Sequence, residues 1–140
     1  MADQGTEVLE RKLAFLRQFL TDLAPYAQLD SDGRRREHYA IERLLQLLCE
    51  SGADIGLQVL KRRGLGLTGS YREVFTSLQQ QDALPQPLAE RLIDACGMRN
   101  ILTYLYDAID LDRVIAAVDP ALALYREYLD WALNETASWK

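Results

Sequence analysis

Leu9, Leu13, Leu16, Leu20 and Leu23 recur at spacings of three and four, which predicts a first amphipathic helix from about Thr6 to Ala27. Thr6 is a candidate cap, and Pro25 followed by Asp30, Ser31, Asp32 and Gly33 closes the helix and opens a turn. A second helix is expected from about Arg34 to Arg63, with Ile41, Leu44, Leu45, Leu48, Ile55 and Val59 toward the core. Ser51 and Gly52 interrupt its middle, where glycine costs up to about 1 kcal/mol against alanine, so a bend or a close helix crossing is expected there. Ser70 begins a third helix, because Glu73 three residues on completes a capping box ahead of Val74, Phe75 and Leu78. After a turn over Asp82 to Gln86, Pro87 suits the first turn of a fourth helix carrying Leu88, Leu92, Ala95 and Leu102 as far as Tyr106. A fifth helix is expected over about Leu111 to Trp139, with Leu111, Ile115, Val118, Leu122, Tyr125 and Leu129 on one side and a kink or division at Pro120.

No segment sustains a two-residue alternation, so the pattern predicts an all-α, up-and-down bundle of about five helices forming a single domain over residues 1–140. The other side of the fifth helix carries Leu124, Trp131, Leu133 and Trp139, apolar surface that belongs either to a homodimer or partner-bound state or to an ordinary buried terminal helix. A composition of 49 % hydrophobic and 26 % charged residues over 140 positions is enough for one sizeable core. No window approaches the roughly 18 apolar residues of a spanning helix, which argues against a membrane. The N-terminal sequence lacks a basic flank followed by an apolar stretch, so the expected location is cytoplasmic.

The net charge of −5 is uneven: residues 1–70 carry ten basic and ten acidic side chains, residues 71–140 six and eleven. That balance opposes broad, salt-driven binding to nucleic acid but leaves room for a local basic groove. The clusters Arg34 to Arg36 and Lys61 to Arg63 are expected to be solvated helix ends. Cys49 and Cys96 stand far apart in sequence, each inside an apolar helical pattern, and are expected to be buried free thiols.

Candidate chemistry is sparse. His38, with Glu42 four residues on, is the single histidine, and neither metal-ligand spacing nor a histidine-based nucleophile arrangement stands out, so neither metal nor cofactor is expected. The segment around Arg99 and Asn100 is more suggestive, since Arg99 shares the Leu92, Leu102 and Tyr106 face and an arginine there needs an acidic partner or an anion. Asp54, which interrupts an apolar stretch, is the candidate partner. The GxGxxG arrangement of Gly64, Gly66 and Gly69 follows a helix rather than a strand and carries no nucleotide-binding meaning.

Several separated blocks stand in order along the chain, namely Tyr39-Ala-Ile-Glu-Arg-Leu-Leu-Gln, Asp54-Ile-Gly, Gly64-Leu-Gly, Ser70-Tyr-Arg-Glu-Val-Phe and Arg99-Asn-Ile-Leu leading to Tyr106 and Asp107. Together they make it resemble the HepT-like toxins of the HEPN superfamily, the ribonuclease halves of a bacterial toxin–antitoxin system. The family motif is an arginine, four residues, a histidine, one residue and a tyrosine. Arg99 matches the arginine, Asn100 its common neighbour and Tyr106 the tyrosine, while Tyr104 stands where the histidine belongs. The resemblance implies a HEPN-type homodimer that cleaves RNA, tRNA or mRNA, without a metal. Arg99, Asn100 and position 104 would be catalytic, and Asp54 and Asp107 would support them. It also implies an MntA-like nucleotidyltransferase antitoxin that transfers AMP from ATP to Tyr106. Tyr104 predicts reduced or absent activity, and the alternative is a non-catalytic helical scaffold that recruits a nucleotidyltransferase.

Overall fold

The leucine period of the first segment forms α1 (Gln4–Leu23), and Pro25 then turns the chain through a single 3-10 segment, Ala24–Gln28. The computed structural model describes residues 4–65, 69–104, 107 and 109–139. Thr6 is not a cap: it lies inside α1, buried, and its hydroxyl donates to the Trp139 carbonyl at 3.3 Å, tying the two ends of the chain together.

The expected second helix is two helices, α2 (Ser31–Arg36) and α3 (His38–Arg62). The polar run expected to be a turn is a capped helix start, because the Asp30 carboxylate accepts from Gly33 N at 2.7 Å. Glu37, at φ −101° and ψ 18°, then offsets α3 from α2. α3 runs unbroken through Ser51 and Gly52 and packs against α1, α4 (Tyr71–Gln80), α5 (Gln86–Tyr104) and α6 (Leu111–Thr136). The close crossing expected at Gly52 is present: the Tyr128 hydroxyl on α6 donates to the Gly52 carbonyl at 2.7 Å.

Six helices and no strand stand among the described residues, so the all-α expectation holds with one helix more than anticipated. α5 is described to Tyr104 rather than Tyr106. Pro120 does not divide α6; the carbonyl it leaves without a helical donor belongs to Ala116, which is exposed to water. The core is continuous, from Leu16 and Leu23 through Ile41, Leu48 and Ile55 to Phe75, Leu92 and Tyr128. Tyr128 is its hub, edge-on to Phe75 at 5.8 Å between centroids and stacked on Trp131 at 5.3 Å.

The second face of α6 is largely that of an ordinary buried terminal helix. Leu124 and Trp139 are buried within the chain, and Trp131 is partly buried with its indole N–H donating to the Ala83 carbonyl at 2.8 Å; of the four residues, Leu133 alone is exposed. The chain's own fold thus buries Leu124 and Trp139 and partly buries Trp131. No helix among the described residues is long and apolar enough to cross a membrane.

Candidate functional site

A groove of about 450 Å³ runs between the first turn of α4 and the outer half of α5. Ser70, Tyr71 and Arg72, with Gly69, form one wall; Cys96, Arg99 and Asn100 form the other. The α4 wall is fixed by its cap: Ser70 Oγ accepts from Glu73 N at 3.2 Å, and the Glu73 carboxylate accepts from Gly69 N at 2.9 Å. That pair of bonds sets the entry angle of α4 and brings Tyr71 and Arg72 onto its first turn.

Arg99 is the centre of the opposite wall. Its side chain is only 14 % exposed, and its NH2 donates to Glu50 Oε1 on α3 at 3.3 Å. Its guanidinium lies over the Tyr71 ring, 4.9 Å from the centroid, and its NH1 donates to Asn100 Oδ1 at 3.4 Å. A carboxylate at one edge and a π face on one side fix the guanidinium plane, which prepares it for planar recognition of a tetrahedral anion's oxygens. Burial and then the Glu50 charge push the Tyr71 phenol above its ordinary range, partly offset by Arg99, so Tyr71 is a neutral donor at physiological pH.

Asp54 is not the partner of Arg99. It pairs with Lys12 on α1 at 3.2 Å, one helical turn beyond Glu50, which takes the role instead. Asn100 is exposed beside Arg99 in the groove, Tyr104 ends α5, and Asp107 is exposed beyond it. Tyr106 lies outside the described residues, as do Gly66, Leu67 and Thr68 of the glycine-rich loop. His38 stands at the other end of α3 with Nδ1 2.6 Å from Glu42 Oε2, and the described residues hold no cluster of three metal-ligating side chains.

Cys49 and Cys96 are both buried free thiols, as expected, but they meet: the Cys49 thiol donates to the Cys96 sulfur at 3.6 Å. This bond lowers the Cys96 pKa, assisted by Arg99 and Arg72 and opposed by burial, while the same bond and burial raise that of Cys49.

The basic clusters are less solvated than expected. Arg34 donates to the carbonyls of Leu29 at 3.2 Å, Ala27 at 3.0 Å and Ile115 at 2.9 Å, and to Asp119 at 3.1 Å. Arg35 pairs with Asp112 and Arg63 with Glu135, while Arg62 lies 5.0 Å from the Trp139 ring centroid. Arg36 and Lys61 are exposed, as a solvated helix end requires.

Arg99 and Asn100 stand out in the sequence, whereas their neighbours Glu50, Tyr71, Arg72 and Cys96 carry no sequence signal of that role. The signal for α4 was visible in its capping box; which helix that first turn faces is a tertiary fact.

A sequence profile of the family described as Ribonuclease HepT-like matches residues 9–130. An mRNA nuclease HepT of Shewanella oneidensis is 34 % identical over 86 residues, which are 61 % of this chain and 65 % of that protein, so the match spans just under two thirds of the relative. A tRNA nuclease HepT of Aphanizomenon flos-aquae is 28 % identical over 125 residues, 87 % of this chain and 85 % of that protein. Among solved structures, the tri-AMPylated Shewanella oneidensis HEPN toxin in complex with an MNT antitoxin has a TM-score of 0.80 at 25 % identity, covering 89 % of this chain and 95 % of that one.

Proposed function

This chain belongs to the Ribonuclease HepT-like family, and on that premise we propose that it is the toxin half of a toxin–antitoxin pair, a metal-independent ribonuclease scaffold that binds RNA in the α4–α5 groove. The observation that carries this reading is the guanidinium of Arg99, held by Glu50 and Tyr71 beside Asn100, with Arg72 on the facing wall.

In such cleavage the ribose 2′-hydroxyl attacks the adjacent phosphorus, the bond to the 5′ oxygen breaks, and a cyclic phosphate remains. The step needs a proton acceptor, a proton donor and a cation over the crowded phosphate. Arg99 supplies the cation, two N–H groups reaching the non-bridging oxygens. Asn100 positions the phosphate or the ribose. The proton carrier is what this chain lacks: a tyrosine stands at 104 where the family motif has histidine. The reference pKa rises from about 6.5 to about 10, so about one tyrosine in a thousand is ionised at neutral pH. Cleavage by this chain is therefore weak or absent, while RNA affinity persists.

Tyr106 is the acceptor for AMP from an MntA-like nucleotidyltransferase. Phosphate added seven residues beyond Arg99 competes for its guanidinium and repels an incoming RNA backbone. A homodimer would place two such cations in one groove of an otherwise acidic protein. Tyr104 also favours a second reading, a non-catalytic scaffold that recruits the nucleotidyltransferase.

The test is cleavage of total tRNA in EDTA by the chain, by Tyr104→His and by Tyr104→His/Arg99→Ala. Cutting by the histidine variant alone supports the nuclease scaffold. A folded Tyr104→His variant that leaves tRNA intact overturns it in favour of recruitment.

A further inference from the structure

The mechanism above leaves one reactive pair unused. Cys96 lines the groove beside Arg99, and Cys49 lies behind it in the core with the two sulfurs 3.6 Å apart. Cys49 directly precedes Glu50 on α3, and Cys96 lies three residues before Arg99 on α5, so the sulfurs bridge the same two helices as the Glu50–Arg99 ion pair.

We propose that Cys49 and Cys96 form an oxidation-sensitive dithiol, Cys96 reacting with hydrogen peroxide and Cys49 closing a disulfide that shifts Arg99. Cys96 is among the residues that line the groove, with 4 % of its surface exposed, and Arg99 and Arg72 beside it favour its thiolate. The Cys96 thiolate attacks one peroxide oxygen; the S–O bond forms, the O–O bond breaks and hydroxide leaves. The Cys49 sulfur then displaces that oxygen, its thiol proton leaving with the hydroxyl as water, and the S–S bond forms. Two thiols are oxidised by two electrons and one peroxide is reduced.

Closing the disulfide draws the sulfurs from 3.6 Å to about 2.05 Å. In a core packed to crystal-like density that movement passes to the helices rather than into a void. The turn of α5 that carries Arg99 moves against Glu50, and the guanidinium leaves the plane set by Tyr71. This consequence for RNA rests on the function proposed above; the disulfide itself does not.

The experiment treats the reduced full chain with hydrogen peroxide, maps cysteine peptides without reductant, and measures tRNA affinity before oxidation, after it and after dithiothreitol. The expected result is a Cys49–Cys96 linked peptide that has lost two hydrogens, reversed by dithiothreitol. In Cys49→Ser, dimedone should trap a sulfenic acid on Cys96. Affinity for tRNA should fall by about tenfold on oxidation, the order of one displaced charge-assisted contact. Folded wild-type chain that forms no such linkage overturns the dithiol whatever the variants do. Linkage with unchanged affinity overturns the shift of Arg99. Linkage in a chain whose reduced form binds no tRNA leaves the dithiol standing and counts against the functional reading instead.

Discussion

Glu50 Oε1 on α3 lies 3.3 Å from Arg99 NH2 on α5, and this ion pair joins the helix that forms the centre of the bundle to the helix that carries the groove's cation. Asp54, one turn along α3, makes a different bond, to Lys12 at 3.2 Å, and its side chain is 38 % exposed against 30 % for Glu50 and 14 % for Arg99. Removing Glu50 leaves a largely buried guanidinium with one anionic partner fewer, whereas removing Asp54 leaves an ammonium on a flexible, 34 % exposed side chain that water can reach. Glu50→Ala should cost about 1–2 kcal/mol in urea unfolding and Asp54→Ala at most about 1 kcal/mol. Equal losses would mean that Arg99 draws little from Glu50.

Arg34 provides a second contrast within one basic run. Its guanidinium and Nε hold the end of the 3-10 segment, Leu29 and α6 together through four acceptors, with 12 % of the side chain exposed. Arg34→Ala should lower stability by about 1–3 kcal/mol, because the part-buried carbonyls of Ala27 and Ile115 lose a charged donor. Arg36→Ala, two residues away and exposed, should stay within about 0.5 kcal/mol. Thermal midpoints of the two variants would separate a clamp from a solvated cluster.

The two core glycines of α3 should behave oppositely. A Cβ on Gly56 would stand 2.5 Å from Val74 Cγ1, a stiff branched side chain on α4, and 3.3 Å from the Tyr128 hydroxyl. A Cβ on Gly52 would meet the rings of Tyr125 and Tyr128 at 3.4 Å, an ordinary contact. Gly56→Ala should therefore destabilise by about 1–3 kcal/mol. Gly52→Ala should be close to neutral, the gain in helix propensity offsetting any tightness. Val74→Ala should recover part of the Gly56→Ala loss in a double-mutant cycle, and strict additivity would contradict the clash.

Local devices were legible: the Ser70 and Glu73 box, Pro87 in the first turn of α5, and the apolar periods of α1, α3 and α6 are each written within a few residues. The Asp30 cap was missed because Asp, Ser and Gly serve turns and helix starts equally. At the site, Arg99 and Asn100 stood out as polar residues in an apolar helix. The choice between Glu50 and Asp54 did not, since both acids lie on one side of α3 and its rotation is set by packing. The meeting of Cys49 with Cys96, 47 residues apart, and the burial of Leu124 and Trp139 likewise depend on how helices assemble.

Tyr125 and Tyr128 give the fold a defined alkaline limit. Both phenols are wholly buried, and burial first, then the nearby cysteines, pushes each well above the ordinary tyrosine range. The Tyr128 proton is also committed to the Gly52 carbonyl at 2.7 Å. In the unfolded chain both release a proton near pH about 10, whereas the native state retains it, so above that pH the native state binds more protons. Their contribution to stability is fully present below about pH 10 and is lost as pH rises toward the folded values, at about 1.4 kcal/mol per pH unit for each group. Urea midpoints should hold level up to about pH 9.5 and then fall steeply, with Tyr125→Phe or Tyr128→Phe each removing about half of the two tyrosines' share of the slope. Tyr128→Phe should also lower the neutral-pH stability by about 1–2 kcal/mol through the lost bond to Gly52. Tyrosinate absorbance from these two residues in folded protein near pH about 10.5 would contradict their burial.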